Sequence, residues 1–304
     1  MIKTYHNFKL PELIRVPALT PLLYRLVSKL EFKELQKIKI DKPGVNKEKR
    51  NEFVIASLTS FPLRIETAYY TVLTLLNQTY KPDRLILWLA EEQFPDKKLP
   101  DRLVSLSKYG LEIKWCDNLR SHKKYYYAMK ENKDSTIVIF DDDIIYPEDY
   151  LQKLYEKHLQ FPKSVVCNKA RKIKVDREKV FLYNDWELPL GFAVDKPEWL
   201  LIPVGCGGVL YPPYALSEEV FNVFNIKSIA FTVDDIWLKF MAVLAGTKSV
   251  LTTSYNRTLS CVPGSQVEHL AQTNCIEGVN NTSFAEMLKA YPEFLPIVLN
   301  EVEK

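Results

Sequence analysis

The stretch IVIFDDDIIYPEDYL, residues 137–151, governs how the rest of the chain is read. Ser135 to Phe140 is the short, β-branched, apolar run expected of a strand buried on both faces. It stops at Asp141, Asp142 and Asp143. Pro147 then opens a helix with Glu148 and Asp149 in its first turn, an apolar face of Leu151, Leu154, Tyr155 and Leu159, and Pro162 at its end. A buried strand that delivers carboxylates to its C-terminal edge puts them where open α/β sheets bind ligands. Like charges so close repel one another, and a cation is the usual remedy. Hard carboxylate oxygens suit Mg²⁺ or Mn²⁺, which also hold nucleotide phosphates. Aspartates also collect in loops and ahead of helices, so it is the strand before them that carries the reading.

Upstream the alternation continues. Phe53 to Leu58, Arg84 to Ala90 and Leu111 to Cys116 read as strands. Ile65 to Leu76 repeats apolar residues at helical spacing (Ile65, Tyr69, Val72, Leu76), and Tyr125 to Lys130 reads as a helix. Strands alternating with helices imply one α/β, Rossmann-like domain with a mostly parallel sheet. Ahead of it, Leu19 to Leu35 places Leu22, Leu23, Leu26, Leu30 and Leu35 among Arg25, Lys29 and Lys33. Such a basic amphipathic helix either lies on an anionic membrane surface or packs on the main domain. Pro43-Gly44 and the charged run 46–52 read as a linker.

The chain has 304 residues, 47% of them hydrophobic, enough to bury a sizeable core. Residues 1–50 hold 12 Lys/Arg against 5 Asp/Glu, a net +7, and the remainder is −4. A mildly acidic body does not suit a protein whose task is gripping nucleic acid. Five scattered cysteines with no CxxC pair suggest a reducing compartment. No apolar h-region opens the chain and no stretch is long enough to span a bilayer, so the expected location is cytoplasmic, with the inner membrane face as a possible contact.

Three segments share an order and spacing with a known family. TLLNQTYKP (74–82) followed by the strand RLILWLA (84–90), the IVIFDDDIIYPEDYL stretch, and Asp234-Asp235-Ile-Trp-Leu-Lys-Phe with Gly246 beyond it together resemble the family 2 glycosyltransferases of GT-A fold. The resemblance covers roughly residues 53–250. It implies a ribose or phosphate contact for Asp141, a metal contact for Asp143, and help from Asp142 in either role. It implies also that Asp235 is the base that takes a proton from the attacking hydroxyl, with Asp234 positioning the acceptor or substituting for it. The competing explanation of this acidic pair is helix capping, since Thr232 stands three positions before Asp235 and acids are favoured at a helix start.

Other candidates follow from position. Ser57 and Thr59 leave the first strand at the sheet edge that would receive the nucleotide, and Arg64 can pair with its phosphates; an ordinary strand exit with capping hydroxyls explains them equally. His122, Lys123 and Lys124 precede the acidic strand and are within reach of a diphosphate, although surface lysines usually meet only water. Gly205 to Gly208 gathers three of the nine glycines, and Gly207 and Gly208 are candidates for the place where donor sugar and acceptor meet, or else for a tight turn into a strand. Among Tyr183, Trp186, Phe192 and Trp199, most are expected in the core, with Trp186 the candidate to stack on a sugar. His269 is a further candidate metal ligand, by likeness to a C-terminal histidine in some GT-A enzymes.

The sequence departs from the family where a DDGS-type segment would hold the nucleoside, since Glu91-Glu92-Gln93-Phe94-Pro95 stands there, and it lacks QxxRW, which argues against a processive synthase. The expectation is therefore a GT-A-like catalytic domain over 51–260, a basic arm over 1–50 and a tail over 261–304 packed on the domain. The implied reaction moves a sugar from a nucleoside diphosphate, UDP by the resemblance, to a hydroxyl of a glycan or lipid-linked glycan in bacterial surface polysaccharide assembly, with Mn²⁺ or Mg²⁺. The rivals are a sugar nucleotidyltransferase and a non-catalytic glycan-binding protein of the same fold.

Overall fold

The computed structural model describes residues 20–176, 179–187, 196–253, 259–266 and 278–299. Strands β1 (Val54–Thr59), β2 (Arg84–Ala90), β3 (Leu111–Cys116) and β4 (Thr136–Phe140) run parallel in the order β3-β2-β1-β4. The sheet continues through β8 (Val209–Tyr211), which is antiparallel to both neighbours, to β5 (Val165–Cys167) and β9 (Ser249–Leu251). The result is a seven-stranded, mostly parallel α/β sheet of Rossmann-like type, as expected. A two-stranded ribbon pairs β6 (Ala170–Lys172) with β7 (Leu201–Pro203).

Each predicted strand lies within one residue of its expected bounds; for β4, whose every residue is buried, both-face burial leaves an unbroken apolar run as the signature. The helices include α1 (Thr20–Leu35), α2 (Ile65–Leu76), the single turn α3 (Asp101–Val104), α4 (Lys123–Glu131), α5 (Tyr150–Gln160), α6 (Val223–Ile229), α7 (Asp234–Leu244), α8 (Val279–Ala290) and α9 (Phe294–Leu299). α5 starts three residues later than Pro147 suggests. Gln78 and Thr79, just past α2, take the Pro147 and Glu148 carbonyls (2.7 Å each) while the Gln78 side chain also accepts from Leu151 N (2.8 Å). The NQT stretch thus clamps the turn behind the aspartates, and the helix can begin only after it.

Segment 43–50 is no free linker. Gly44 and Val45 are buried, Gly44 N donates to Tyr109 O (2.7 Å), Asn46 N to Pro82 O (2.7 Å), and Arg50 pairs with Asp83 (2.5 Å). Leu35 at one end of the chain and Phe284, Met287 and Phe294 at the other join one continuous core, with Phe240 of α7 stacked on Phe294 at 3.9 Å. No helix among the described residues is long and apolar enough to cross a membrane.

Candidate active site

The acidic loop after β4 is held rigidly from three sides. Asp141 N donates to the buried Tyr146 hydroxyl (3.0 Å), the Thr71 hydroxyl of α2 lies 2.9 Å from the carbonyls of both Asp142 and Ile144, and Val262 N donates to Asp143 O (2.7 Å). The three side chains then part company. Asp142 turns inward, accepting from Ser60 Oγ and from Arg64 Nη1 (3.1 Å), and its burial pushes its carboxyl up to about 6 in spite of Arg64. Asp143 pairs with the same Arg64 nitrogen (3.0 Å) and accepts from Gln266 Nε2 (2.8 Å); burial and neighbouring Asp141 raise its carboxyl. Asp141 stays partly exposed and pairs with Lys124 (2.7 Å).

Lys124 is the hub. Buried in the first turn of α4, its Nζ also pairs with Asp234 (2.8 Å) at the start of α7. An ammonium at a helix N-terminus opposes the macrodipole, so its place there depends on the acids around it. Burial works against its charge, but Asp141, Asp234 and Asp235 outweigh burial and hold its proton firmly. The same pairing reverses the burial effect on Asp234, whose carboxyl lies below the usual range with His122 also contributing. Asp235 receives less relief. Burial and the Asp234 charge push it up to about 7, and its oxygens accept only from Gly205 N (3.0 and 3.2 Å) among the hydrogen bonds of the described residues.

Both acids stand in the first turn of α7, where the helix dipole favours them. The N-cap of α7 is Val233, which makes no side-chain cap, and Asp235 is turned across to the β7–β8 connection. Gly205 lies where the groups converge: a Cβ there would come within 2.9 Å of Lys124 Nζ, 3.0 Å of Asp235 Oδ1 and 3.4 Å of Asp141 Oδ1. Gly207 and Gly208 have a packing reason to be glycine. A Cβ on Gly207 would meet Lys169 Cβ at 2.4 Å, and Gly208, at φ +73°, presses against Phe140 at 2.8 Å.

Several expected contacts have structural employment. Ser57 is fully buried, donating to Lys124 O (2.5 Å) and accepting from Trp88 Nε1 (3.1 Å), so it seats Lys124 and is not open to a ligand. Thr59 donates to Trp88 O (2.8 Å). Arg64 is the counter-ion of Asp142 and Asp143. Lys123 points to the Ser60 carbonyl (3.4 Å) and Gln93 (3.1 Å) at the exits of β1 and β2, and burial lowers its proton affinity. Trp186 is buried between Tyr183 and Phe284, with its Nε1 bonded to Phe181 O (2.8 Å), which removes it from sugar stacking. Phe192 and His269 lie outside the described residues. Sequence reading singled out Gly207 and Gly208 from the Gly205–Gly208 run and underrated Lys124; for the lysine the available signal was two lysines opening a helix where acids are preferred.

Five carboxylates thus converge on a site where Arg64 and Lys124 are the cations paired with them. Such a concentration of carboxylates has the hard oxygens that a divalent cation would need, those of Asp141 and Asp143 among them. The described residues bring no cluster of three or more His, Cys, Asp or Glu side chains with metal-holding geometry.

No family model matches the sequence, and no curated protein is similar to it in sequence. Among solved structures, a 4-diphosphocytidyl-2C-methyl-D-erythritol synthase aligns with 77% of this chain and 100% of its own at 9% identity and a TM-score of 0.39, too distant a likeness to carry an argument about activity.

Proposed function

We propose that the protein is a transferase acting on a nucleotide-linked sugar, and that it passes the sugar from a nucleoside diphosphate to a hydroxyl acceptor. The observation that carries this reading is Asp235: an uncapped carboxylate at the sheet edge, held by a single backbone N–H beside Asp141, with a proton affinity poised near neutrality. A base with that poise suits removal of a hydroxyl proton as the leaving group departs. The resemblance of the 74–82, 137–151 and 234–246 segments to family 2 glycosyltransferases supports the same assignment. Asp141 and Asp143 would hold Mn²⁺ or Mg²⁺, which when bound neutralises charge on a diphosphate. Arg64 fixes Asp142 and Asp143, Lys124 fixes Asp141 and Asp234, and Gly205, lacking a Cβ, lets the strand connection approach Lys124, Asp235 and Asp141 closely. UDP is the expected nucleotide, and a glycan or lipid-linked glycan in cytoplasmic polysaccharide assembly the expected acceptor.

A second reading, sugar nucleotidyl transfer, draws support from the basic side chains around the acidic loop, Arg64, Lys123 and Lys124, whose charge also suits a triphosphate. A phosphate nucleophile needs no base, however, which leaves Asp235 without a task. One screen separates the readings: the protein is incubated with UDP-sugars and, in parallel, with nucleoside triphosphates plus sugar phosphates, each with and without Mn²⁺. Release of UDP supports glycosyl transfer, and anomeric analysis of the product tests inversion. Release of pyrophosphate favours nucleotidyl transfer, and release of neither across the panel, with no Mn²⁺ binding, leaves a non-catalytic binding protein.

A further inference from the structure

α1 has two working faces, and the fold uses one. Leu35 and Glu31 are buried, Phe32 meets the Tyr70 ring edge-on at 4.8 Å, and Ser28 Oγ donates to Ser260 Oγ at 3.0 Å. On the opposite side Leu26 is 55% and Leu30 38% exposed, with Lys29 and Lys33 exposed beside them. Positions 26, 29, 30 and 33 follow the i, i+3, i+4, i+7 spacing of a single stripe. Packing therefore accounts for one half of the helix and leaves an apolar strip edged with ammonium groups turned to solvent.

The charge distribution says what covers it. Residues 1–50 carry a net +7 and the rest of the chain −4. The strip itself, positions 26, 29, 30 and 33, holds two lysines and no acidic residue, so an anionic bilayer attracts this face of α1. The strip has the composition of an interfacial helix: leucines for the acyl boundary, lysines for the headgroups. We propose that the outward face of α1 docks on an anionic lipid surface. This binding does not depend on which transfer the site performs, but it has a consequence for it. Ser260, which α1 touches, accepts from Ile145 N (2.9 Å), and nearby Val262 N donates to Asp143 O, so the docked helix is tied directly to the acidic loop. A lipid-linked acceptor would meet the site at the membrane.

The test uses the full chain in co-sedimentation with vesicles of phosphatidylcholine alone and of phosphatidylcholine with phosphatidylglycerol, over rising salt. The expected result is binding to the anionic vesicles only, weakened by salt. Lys29→Glu with Lys33→Glu lowers it by about tenfold or more, and Leu26→Ser with Leu30→Ser lowers it severalfold at unchanged salt dependence. All four positions are exposed, and thermal melts matching the parent protein confirm that the variants are folded. Equal binding to both vesicle types, or no loss in either double variant, overturns the proposal. So does concentration-dependent self-association that the leucine variant abolishes while vesicles are ignored, which would make the strip an interface between two copies.

Discussion

At Asp235 two effects on one carboxyl oppose each other: burial with Asp234 raises its proton affinity, and Lys124 with the Gly205 N–H lowers it, leaving the group at about 7. As a base it works only when deprotonated, so transfer should rise with pH through about 7 and then level off. Asp235→Asn keeps an oxygen for Gly205 N–H but cannot take a proton; it should lower turnover by about 10²–10⁴-fold with little change in melting temperature. A variant that keeps its rate and pH profile removes Asp235 from the chemistry. The same poise has a stability consequence. Because the folded pKa lies above that of an ordinary carboxylate, the native state favours the protonated form. This contribution is fully present below the unfolded value and is lost as pH rises towards about 7. Urea midpoints should therefore fall less steeply across that window in Asp235→Asn than in the parent. Lys124 acts through its neighbours. Lys124→Met strands Asp141 and Asp234 without their shared cation, and a loss of about 3–5 kcal/mol is expected by denaturant titration, as for other broken buried pairs.

Single elements decide where those residues can stand. The β7–β8 connection crosses the sheet edge between the acidic loop and α7, and its glycines divide the labour: Gly205 faces charge, Gly207 faces the Lys169 backbone and Gly208 faces Phe140. Gly208→Ala should be the costly one, since it adds a methyl 2.8 Å from a ring carbon at a left-handed φ of +73°. Gly246→Ala provides the control, with a similar φ of +74° and nothing within 4 Å. Its loss should be about 1–2 kcal/mol, the left-handed penalty alone, and Gly208→Ala should exceed it by about 1–3 kcal/mol or more, from overpacking together with a ψ of 130° outside the left-handed helical well. Equal urea midpoints for the two variants would mean that the ring yields freely. α2 contributes similarly from a distance, its terminal Gln78 fixing the turn that leads into α5.

For the whole molecule, the surplus of carboxylate over paired cation is the property that a ligand ion should relieve. Mn²⁺ should raise the melting temperature of the protein in the absence of any nucleotide, equivalent to about 2.7 kcal/mol at a hundred times its Kd. Asp143→Asn should remove most of that shift while leaving the metal-free melt close to the parent's. An unchanged melt with Mn²⁺ would detach the acidic loop from metal binding. The parallel core strands and the aspartates at the tip of β4 were legible in the chain itself, because unbroken apolar runs and their abrupt ends are local patterns that burial on both faces imposes. The partition of the aspartates was not: which one turns to Arg64, which to Lys124 and which to Gly205 depends on segments 17 to 78 residues apart meeting at one edge. The same holds for Trp186, an aromatic whose use was set by Tyr183 and Phe284 closing over it. Composition and periodicity alone therefore determined the layered sheet and its acidic edge. Only the tertiary structure decided each charge's partner, because a carboxylate's proton affinity is a property of what surrounds it in space, and α7, α4 and the strand connections come together there only once the sheet has formed.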